Sequence, residues 1–250
     1  MPAMQNVVAV DWRSGRDCIF FFFKDTDTYS RFNIADDEVP DGYPRIVGTD
    51  RWGAFAPHAP NIRFGFTTTD LLKTTARGAD DDTLWLFYVD GDTPMVCEYD
   101  QDSDRVIRTD PLENTLWKVL IPYFDRIIAG VWWDSNSRGR FRFILSDGNS
   151  LEMTLDPSSE YDGLSEMNFT YYKGDSKVQL AAISETTWPG ITPYKDRIIT
   201  AVQNDRSFAD SRLYIFLTDN EYLAYNIPEN QLEYGPKKVD NATWPGLLRD

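Results

Sequence analysis

The sequence predicts an all-β fold, a four-bladed β-propeller with four antiparallel strands in each blade. Three observations favour this class. A block that begins with tryptophan recurs along the chain, a strand-like apolar run follows each copy, and a polar turn typical of a tight hairpin follows each run. No stretch shows the periodicity of a capped helix. A recurring all-β unit of this length is typical of blades that bury their faces against one another around a ring.

The tryptophan block aligns without gaps in three places. It reads WGAFAPHAPNIRFGF from Trp52, WKVLIPYFDRIIAGV from Trp117 and WPGITPYKDRIITAV from Trp188, and a fourth copy begins at Trp244. We expect these tryptophans to pack between blades. Each aligned copy reaches a small residue thirteen positions later, and VVAV near the start supplies the fourth. Small side chains suit innermost strands that crowd a central axis, so we place there Ala9, Gly65, Gly130 and Ala201.

A pair of strands joined by a short turn follows each small residue. The first strand of each pair is largely apolar, as expected for a sheet covered on both faces: Ile19 to Phe23, Leu84 to Tyr88, Phe141 to Leu145, and Leu213 to Leu217. Glycine, aspartate and asparagine tolerate positive φ, so the residues that follow predict tight hairpins: Asp25, Asp90-Gly91, Asp147-Gly148 and Asp219-Asn220.

The repeats must close on one another, which predicts a single domain over residues 1–250. Its four units cover roughly 1–56, 57–121, 122–192 and 193–250. The largest insertions fall at about Thr67 to Asp82 and Glu160 to Asp175, and the second is long enough to contain extra strands.

Charge limits the partners. The 250 residues contain 25 basic and 40 acidic side chains, a net charge of −15. Such a surface repels nucleic-acid backbones and anionic lipid, so we expect a small-molecule or sugar ligand and neither nucleic acid nor membrane. The first residues lack a basic stretch before an apolar core, and two cysteines form no disulfide framework, so we expect a cytoplasmic protein. The oligomeric state stays open.

Blade 3 resembles the fungal fucose-specific lectin propellers. The similar segments are IAGVWW (Ile128 to Trp133) and RFRFILSDGNSLEMTLD (Arg140 to Asp156). Those lectins pair an arginine on one strand with a glutamate on the next, and the resemblance places this pair at Arg140 and Glu152. Arginine donates in a fixed fork and glutamate accepts from hydroxyls, which suits a sugar. The motif occurs once, because blade 4 has Arg212 with Ala224, and blade 2 has Glu98 out of register without an arginine.

The chain also resembles hemopexin-like four-bladed propellers. The similar segments are LYIFLTDNEYLAYNI and GPKKVDNATWPGL in blade 4, and FFFKDTDTYSRF with GYPRI in blade 1. This resemblance implies the blade number. It leaves the function open among protein, haem, polyamine and ion binding.

The candidate ligand-binding residues each have a structural alternative. Arg140 and Glu152 can instead form an ordinary cross-strand salt bridge. Trp12, Trp132 and Trp133 depart from the repeat and are candidates for stacking on a ligand. We assign no catalytic residue, metal site or cofactor: His58 is the single histidine, and the aspartates at 100, 102 and 104 lack the glycine of a calcium loop.

Three functional hypotheses follow. The first is a small-ligand-binding propeller, lectin-like, that binds a fucoside through one site in blade 3. The second is a cofactor-independent enzyme of the cyclase or pericyclase type, which holds an apolar substrate in a propeller pocket. The third is a hemopexin-like module for a protein, polyamine or haem. Whether the chain is an enzyme stays open.

Overall fold

The computed structural model describes residues 4–69, 71, 82–133, 139–155, 176–204 and 211–249. Its strands form four antiparallel sheets of four. Blade 1 contains β1 (Val7–Trp12), β2 (Cys18–Phe23), β3 (Thr28–Asn33) and β4 (Arg45–Ile46). Blade 2 contains β5 (Ile62–Thr69), β6 (Asp82–Asp90), β7 (Thr93–Asp100) and β8 (Arg105–Pro111). Blade 3 contains β9 (Ile127–Trp132), β10 (Arg140–Leu145), β11 (Asn149–Thr154) and β12 (Lys177–Ala182). Blade 4 contains β13 (Ile198–Gln203), β14 (Arg212–Leu217), β15 (Glu221–Asn226) and β16 (Gln231–Lys238).

The four sheets are arranged as a ring. The first strand of each blade lies at one edge of its sheet, and β1 contacts β5, β5 contacts β9, β9 contacts β13, and β13 contacts β1. The predicted four-bladed β-propeller is therefore confirmed, with the four small residues on the innermost strands. Most of both predicted insertions lies outside the described residues, and so does any extra strand within them. Among the described residues, no helix has the length and apolar character needed to cross a membrane.

The hairpin turns lie where the sequence places them. Gly91 (φ +59°), Gly148 (φ +77°) and Asp219 (φ +65°) are in the left-handed region, as is Asp27 two residues after the predicted turn residue Asp25. These are residue types that adopt such φ values at low cost, so local chemistry fixes the strand pairing here.

The tryptophan blocks form helical turns, which the sequence analysis did not predict. A short α-helix, Thr49–Trp52, continues into the 3₁₀ helix Gly53–Asn61, and the equivalent 3₁₀ helices are Leu116–Arg126 and Thr192–Arg197. Two shorter 3₁₀ turns are Met4–Asn6 and Leu112–Asn114. Prolines within the blocks remove backbone donors and interrupt any longer α-helical pattern. The prolines break the pattern of a capped α-helix, although Trp117, Leu120 and Phe124 keep helical spacing along one buried side of Leu116–Arg126.

The four repeated tryptophans pack between blades, as predicted. Trp117 packs edge-on against Phe66 of blade 2 at 5.3 Å between ring centroids and against Phe141 of blade 3 at 5.1 Å. All four are buried, and none of their indole N–H groups has an oxygen or nitrogen acceptor among the described residues. Aromatic rings surround these tryptophans, so ring packing holds the indoles in place.

Gly130 marks a close approach of an inner strand to its neighbours. A Cβ atom there would lie 2.8 Å from Phe66 Cδ1 and 3.0 Å from Phe143 Cδ1, inside a packed aromatic cluster. We expect Gly130→Ala to lower the free energy of unfolding by about 1–3 kcal/mol, because the rings have no room to move. Urea unfolding measures this. The matched control is Ala201→Gly at the equivalent position, with a cost of about 0.5–1 kcal/mol. A stabilised Gly130→Ala variant would contradict the close approach.

Candidate functional site

A groove of about 350 Å³ lies on the face of blade 3 that is turned toward blade 4. We call it the blade-3/4 groove. Strands β10, β11 and β12 form one wall, and the segment at 186–187 and the turn at 227–230 form the other. Its lining residues are Trp133, Arg140, Arg142, Ser150, Leu151, Glu152, Gln179, Ala181, Thr186, Thr187, Ile227, Pro228 and Asn230.

A polar row crosses this wall. The strand register sets Arg142 opposite Glu152 and Glu152 opposite Gln179, so three polar side chains occupy one line across β10, β11 and β12. Alternation along β10 brings Arg140 to the same face. The equivalent line contains Tyr214, Ala224 and Tyr234 in blade 4 and Trp85, Glu98 and Arg108 in blade 2, so both are less polar than the row in blade 3.

Arg140 and Glu152 form a two-pronged ion pair in the groove. Arg140 Nε donates to Glu152 Oε1 at 3.0 Å, and Arg140 Nη2 donates to Glu152 Oε2 at 2.9 Å. The side chains are 36% and 40% exposed. The pair is thus open to solvent and contributes little to stability, about 0–1 kcal/mol. Its fork geometry holds hydrogen-bonding groups of both kinds in fixed positions at the surface of the groove.

Arg142 lies deeper, between two tryptophans. Its guanidinium carbon is 4.4 Å from the Trp133 ring centroid and 3.8 Å from that of Trp188. It donates to Asn230 Oδ1 at 2.7 Å and to the carbonyl oxygen of Thr187. Burial lowers the pKa of Arg142 to about 10, and the nearby Glu152 carboxylate acts in the opposite direction. Arg142 therefore carries its charge at neutral pH while only 6% exposed.

The groove contains three of the five sequence-predicted ligand-binding residues. Arg140, Glu152 and Trp133 line it, although Trp133 is buried against Trp188 and shows only a small part of its ring to the groove. Trp132 packs under the Arg13 guanidinium at 5.2 Å, and Trp12 packs against Tyr99 at the junction of blades 1 and 2. Their roles in stacking on a ligand stay predictions.

Related ion pairs occur in two other blades. Arg212 of blade 4 donates to both carboxylate oxygens of Glu233, at 2.6 and 3.0 Å. In blade 2, Glu98 accepts from Arg108 at 2.8 Å. The prediction that Glu98 is out of register was wrong, since Glu98 faces Trp85 as Glu152 faces Arg142. Gly65 faces Leu86 and Gly130 faces Phe143, and counting outward from these two pairs gives the correct equivalence.

A second polar cluster lies near the C-terminal ends of the inner strands, and sequence reasoning missed it. Asp11 accepts from Arg13 Nε and from the Thr67 backbone N–H, both at 2.9 Å. Arg13 also donates to Gln203 Oε1 at 3.2 Å. Asp11, Thr67 and Gln203 each stand two positions after the small residue of their strand, so this offset was the signal that could have found them.

The cysteines, the histidine and the aspartates considered in the sequence analysis each pack against, or bond to, other groups of the protein. Cys18 and Cys97 are buried, and burial raises the pKa of the Cys18 thiol to about 12 and that of Cys97 further. His58 stacks on Tyr88 with 4.8 Å between centroids. Asp100 accepts from the backbone of its own turn, and Asp104 forms an ion pair with Arg51. No group of three or more potential metal-ligating side chains occurs within the part of the chain that the structure describes.

Comparison with known proteins gives no family. No protein-family model matches the chain, and no curated protein sequence matches it. The fold, a four-bladed propeller, is consistent with a ligand-binding module, and any finer assignment depends on the site itself.

Proposed function

We propose that this protein binds a small polyhydroxylated ligand, of monosaccharide size, in the blade-3/4 groove. A fucoside is the specific expectation from the blade-3 motif. The observation that carries the proposal is the exposed Arg140–Glu152 fork within a groove of about 350 Å³. Arginine donates to several sugar oxygens, and the glutamate accepts from hydroxyls.

The rest of the lining supports the same ligand class. The hydroxyls of Ser150 and Thr186 and the amide of Gln179 add short donors and acceptors around the fork. Ligand sites combine a concave shape with a few placed polar groups, which this groove does. Trp133 lines the groove, so we expect the tryptophan fluorescence of the protein to change when a ligand binds.

The groove does not favour a cyclase or a haem-binding module. An apolar substrate for a cyclase needs an apolar pocket, and this lining is mainly polar. His58, the single histidine available to a haem iron, packs on Tyr88 in blade 2, away from the groove.

Titration of tryptophan fluorescence with L-fucose tests the proposal. We expect saturable binding by the wild type, and a loss of roughly tenfold or more in affinity for Glu152→Ala, because a charged hydrogen-bonding partner is removed. The matched control is Glu233→Ala, which breaks the equivalent fork of blade 4 outside the groove and should bind as the wild type does.

Two outcomes count against this function. One is no response to L-fucose, D-galactose and a glycan panel by the wild type. The other is equal loss of affinity in both variants, which would place the binding site outside blade 3.

A further inference from the structure

Two of the four blade junctions contain an arginine held in an aromatic cleft. At the junction of blades 1 and 2, the Arg51 guanidinium lies 5.1 Å from the Trp12 ring centroid and 5.4 Å from that of Trp52. At the junction of blades 3 and 4, Arg142 lies in the same way against Trp133 and Trp188. The pairs of tryptophans stand at equivalent positions in the repeat.

The guanidinium enters the two clefts from opposite walls. Arg51 precedes Trp52, where Thr187 precedes Trp188. Arg142 lies on β10, where the register of blade 1 places Phe20. Each cleft therefore accommodates one positive charge. Only the arginine at the junction of blades 3 and 4, Arg142, also lines the blade-3/4 groove.

The two clefts differ in the group that faces the arginine. Tyr99 donates to Asp104 Oδ1 at 2.7 Å, and Tyr225 donates to Asn230 Oδ1 at 3.0 Å. Asp104 and Asn230 each stand five residues after that tyrosine and have φ of 52° and 49°. They are the same position of the turn between the last two strands of a blade. Asp104 forms an ion pair with Arg51 at 3.0 Å, whereas Asn230 offers Arg142 a neutral oxygen.

The described lining of the groove consequently has an excess of positive charge. Among the described residues, no carboxylate lies within 4.0 Å of Arg142, and Glu152 is engaged by Arg140. The lining contains two guanidinium groups and one carboxylate. This occurs in a chain with a net charge of −15. A buried charge that no described carboxylate contacts directly is unfavourable, so an anion that reaches Arg142 gains affinity from it.

We infer that the ligand of the blade-3/4 groove carries a negative charge, a carboxylate as in a sugar acid, which takes the place beside Arg142 that Asp104 takes beside Arg51. This rests on the proposed function of the groove. Arg142 uses two of its five N–H groups in bonds to described residues. Its planar fork matches a carboxylate, and the hydroxyl-binding groups around Arg140 and Glu152 match the rest of a sugar.

Calorimetric titration with D-galactose and D-galacturonate tests the inference, because the two sugars differ only in the carboxylate at C6. We expect the wild type to bind the acid about tenfold more tightly or better. Asn230→Asp supplies an internal carboxylate and should reduce this preference to less than about twofold. Its melting temperature should not fall, since the substitution reproduces the Arg51–Asp104 arrangement.

The matched control is Asp104→Asn, which makes the same exchange in the opposite direction at the other junction and should retain the preference of the wild type. Equal affinity of the wild type for both sugars overturns the inference and leaves the proposed function standing. Full preference for the acid in Asn230→Asp also overturns it. Failure of both sugars to bind, together with failure of L-fucose, overturns the proposed function and the inference with it.

Discussion

Trp244→Ala is expected to lower the free energy of unfolding by about 3–5 kcal/mol, the range for removal of a buried large aromatic side chain. Trp244 lies where the last blade meets the first. Its ring centroid is 5.2 Å from that of Phe216 in blade 4 and 4.6 Å from that of Phe32 in blade 1. Loss of the indole therefore leaves a cavity between blades 4 and 1, at the junction where the ring of blades is closed. Urea unfolding followed by circular dichroism measures the change.

Trp244→Phe serves as the control for this prediction. It keeps an aromatic ring between the blades and should retain more than half of the lost stability, because the indole N–H has no acceptor among the described residues. Equal destabilisation by both substitutions, or a loss below about 1 kcal/mol for the alanine, would contradict a closing role for the side chain.

Asp11→Asn is expected to have an effect of similar size, about 3–5 kcal/mol, because it breaks a buried ion pair. One carboxylate oxygen of Asp11 accepts from Arg13 Nε, and the other accepts from the Thr67 backbone N–H. An amide must place its own donor against one of these two donors. Both charged side chains are less than 10% exposed, so water does not restore the lost bond. Chemical unfolding of the two proteins gives the difference.

The control for Asp11→Asn is a substitution in an ion pair at the protein surface. Glu233→Gln removes a carboxylate that binds Arg212 with equally short distances, but the two side chains are 32% and 40% exposed. We expect that substitution to cost less than about 1 kcal/mol. A cost for Asp11→Asn no larger than this would mean that the buried cluster adds nothing to the joining of the blades.

Much of the fold was predictable because it depends on local chemistry. Apolar runs of β10 and β14, left-handed turn residues such as Gly148, and small residues such as Gly130 each act within a few positions along the chain. The 3₁₀ helices were missed because prolines interrupt them, although the helical spacing of Trp117, Leu120 and Phe124 was a usable signal in one of them. The strand lengths and the number of blades could be predicted from the repeat. The helical backbone of the tryptophan blocks depends instead on how these blocks pack between the blades.

The candidate site was predictable only in part. Arg140 and Glu152 lie on adjacent strands of one hairpin, so a local motif brings them together. Arg142 and Asn230 are 88 residues apart and meet only when blades 3 and 4 pack. The role of Asn230 beside Arg142 becomes visible only when the junction of blades 3 and 4 is compared with that of blades 1 and 2. In the sequence alone, Asn230 is an ordinary turn residue. The partner of Arg212 was missed for a similar reason: Glu233 replaces the absent glutamate from a third strand.

Each blade consists of four strands that follow one another in the chain, and this has a consequence for how the protein folds. Every sheet pairs only strands adjacent in sequence, so the contacts within a blade are local along the chain, and most of the loops that close them are short; the longer ones join β5 to β6 and β11 to β12. The junction between blade 4 and blade 1 is different, because it joins positions as distant as Val39 and Pro245, whose backbone groups bond at 2.9 Å. We expect ring closure to be the late, slow event of folding and the first event of unfolding, so the rate of opening at this junction sets the kinetic stability of the whole molecule.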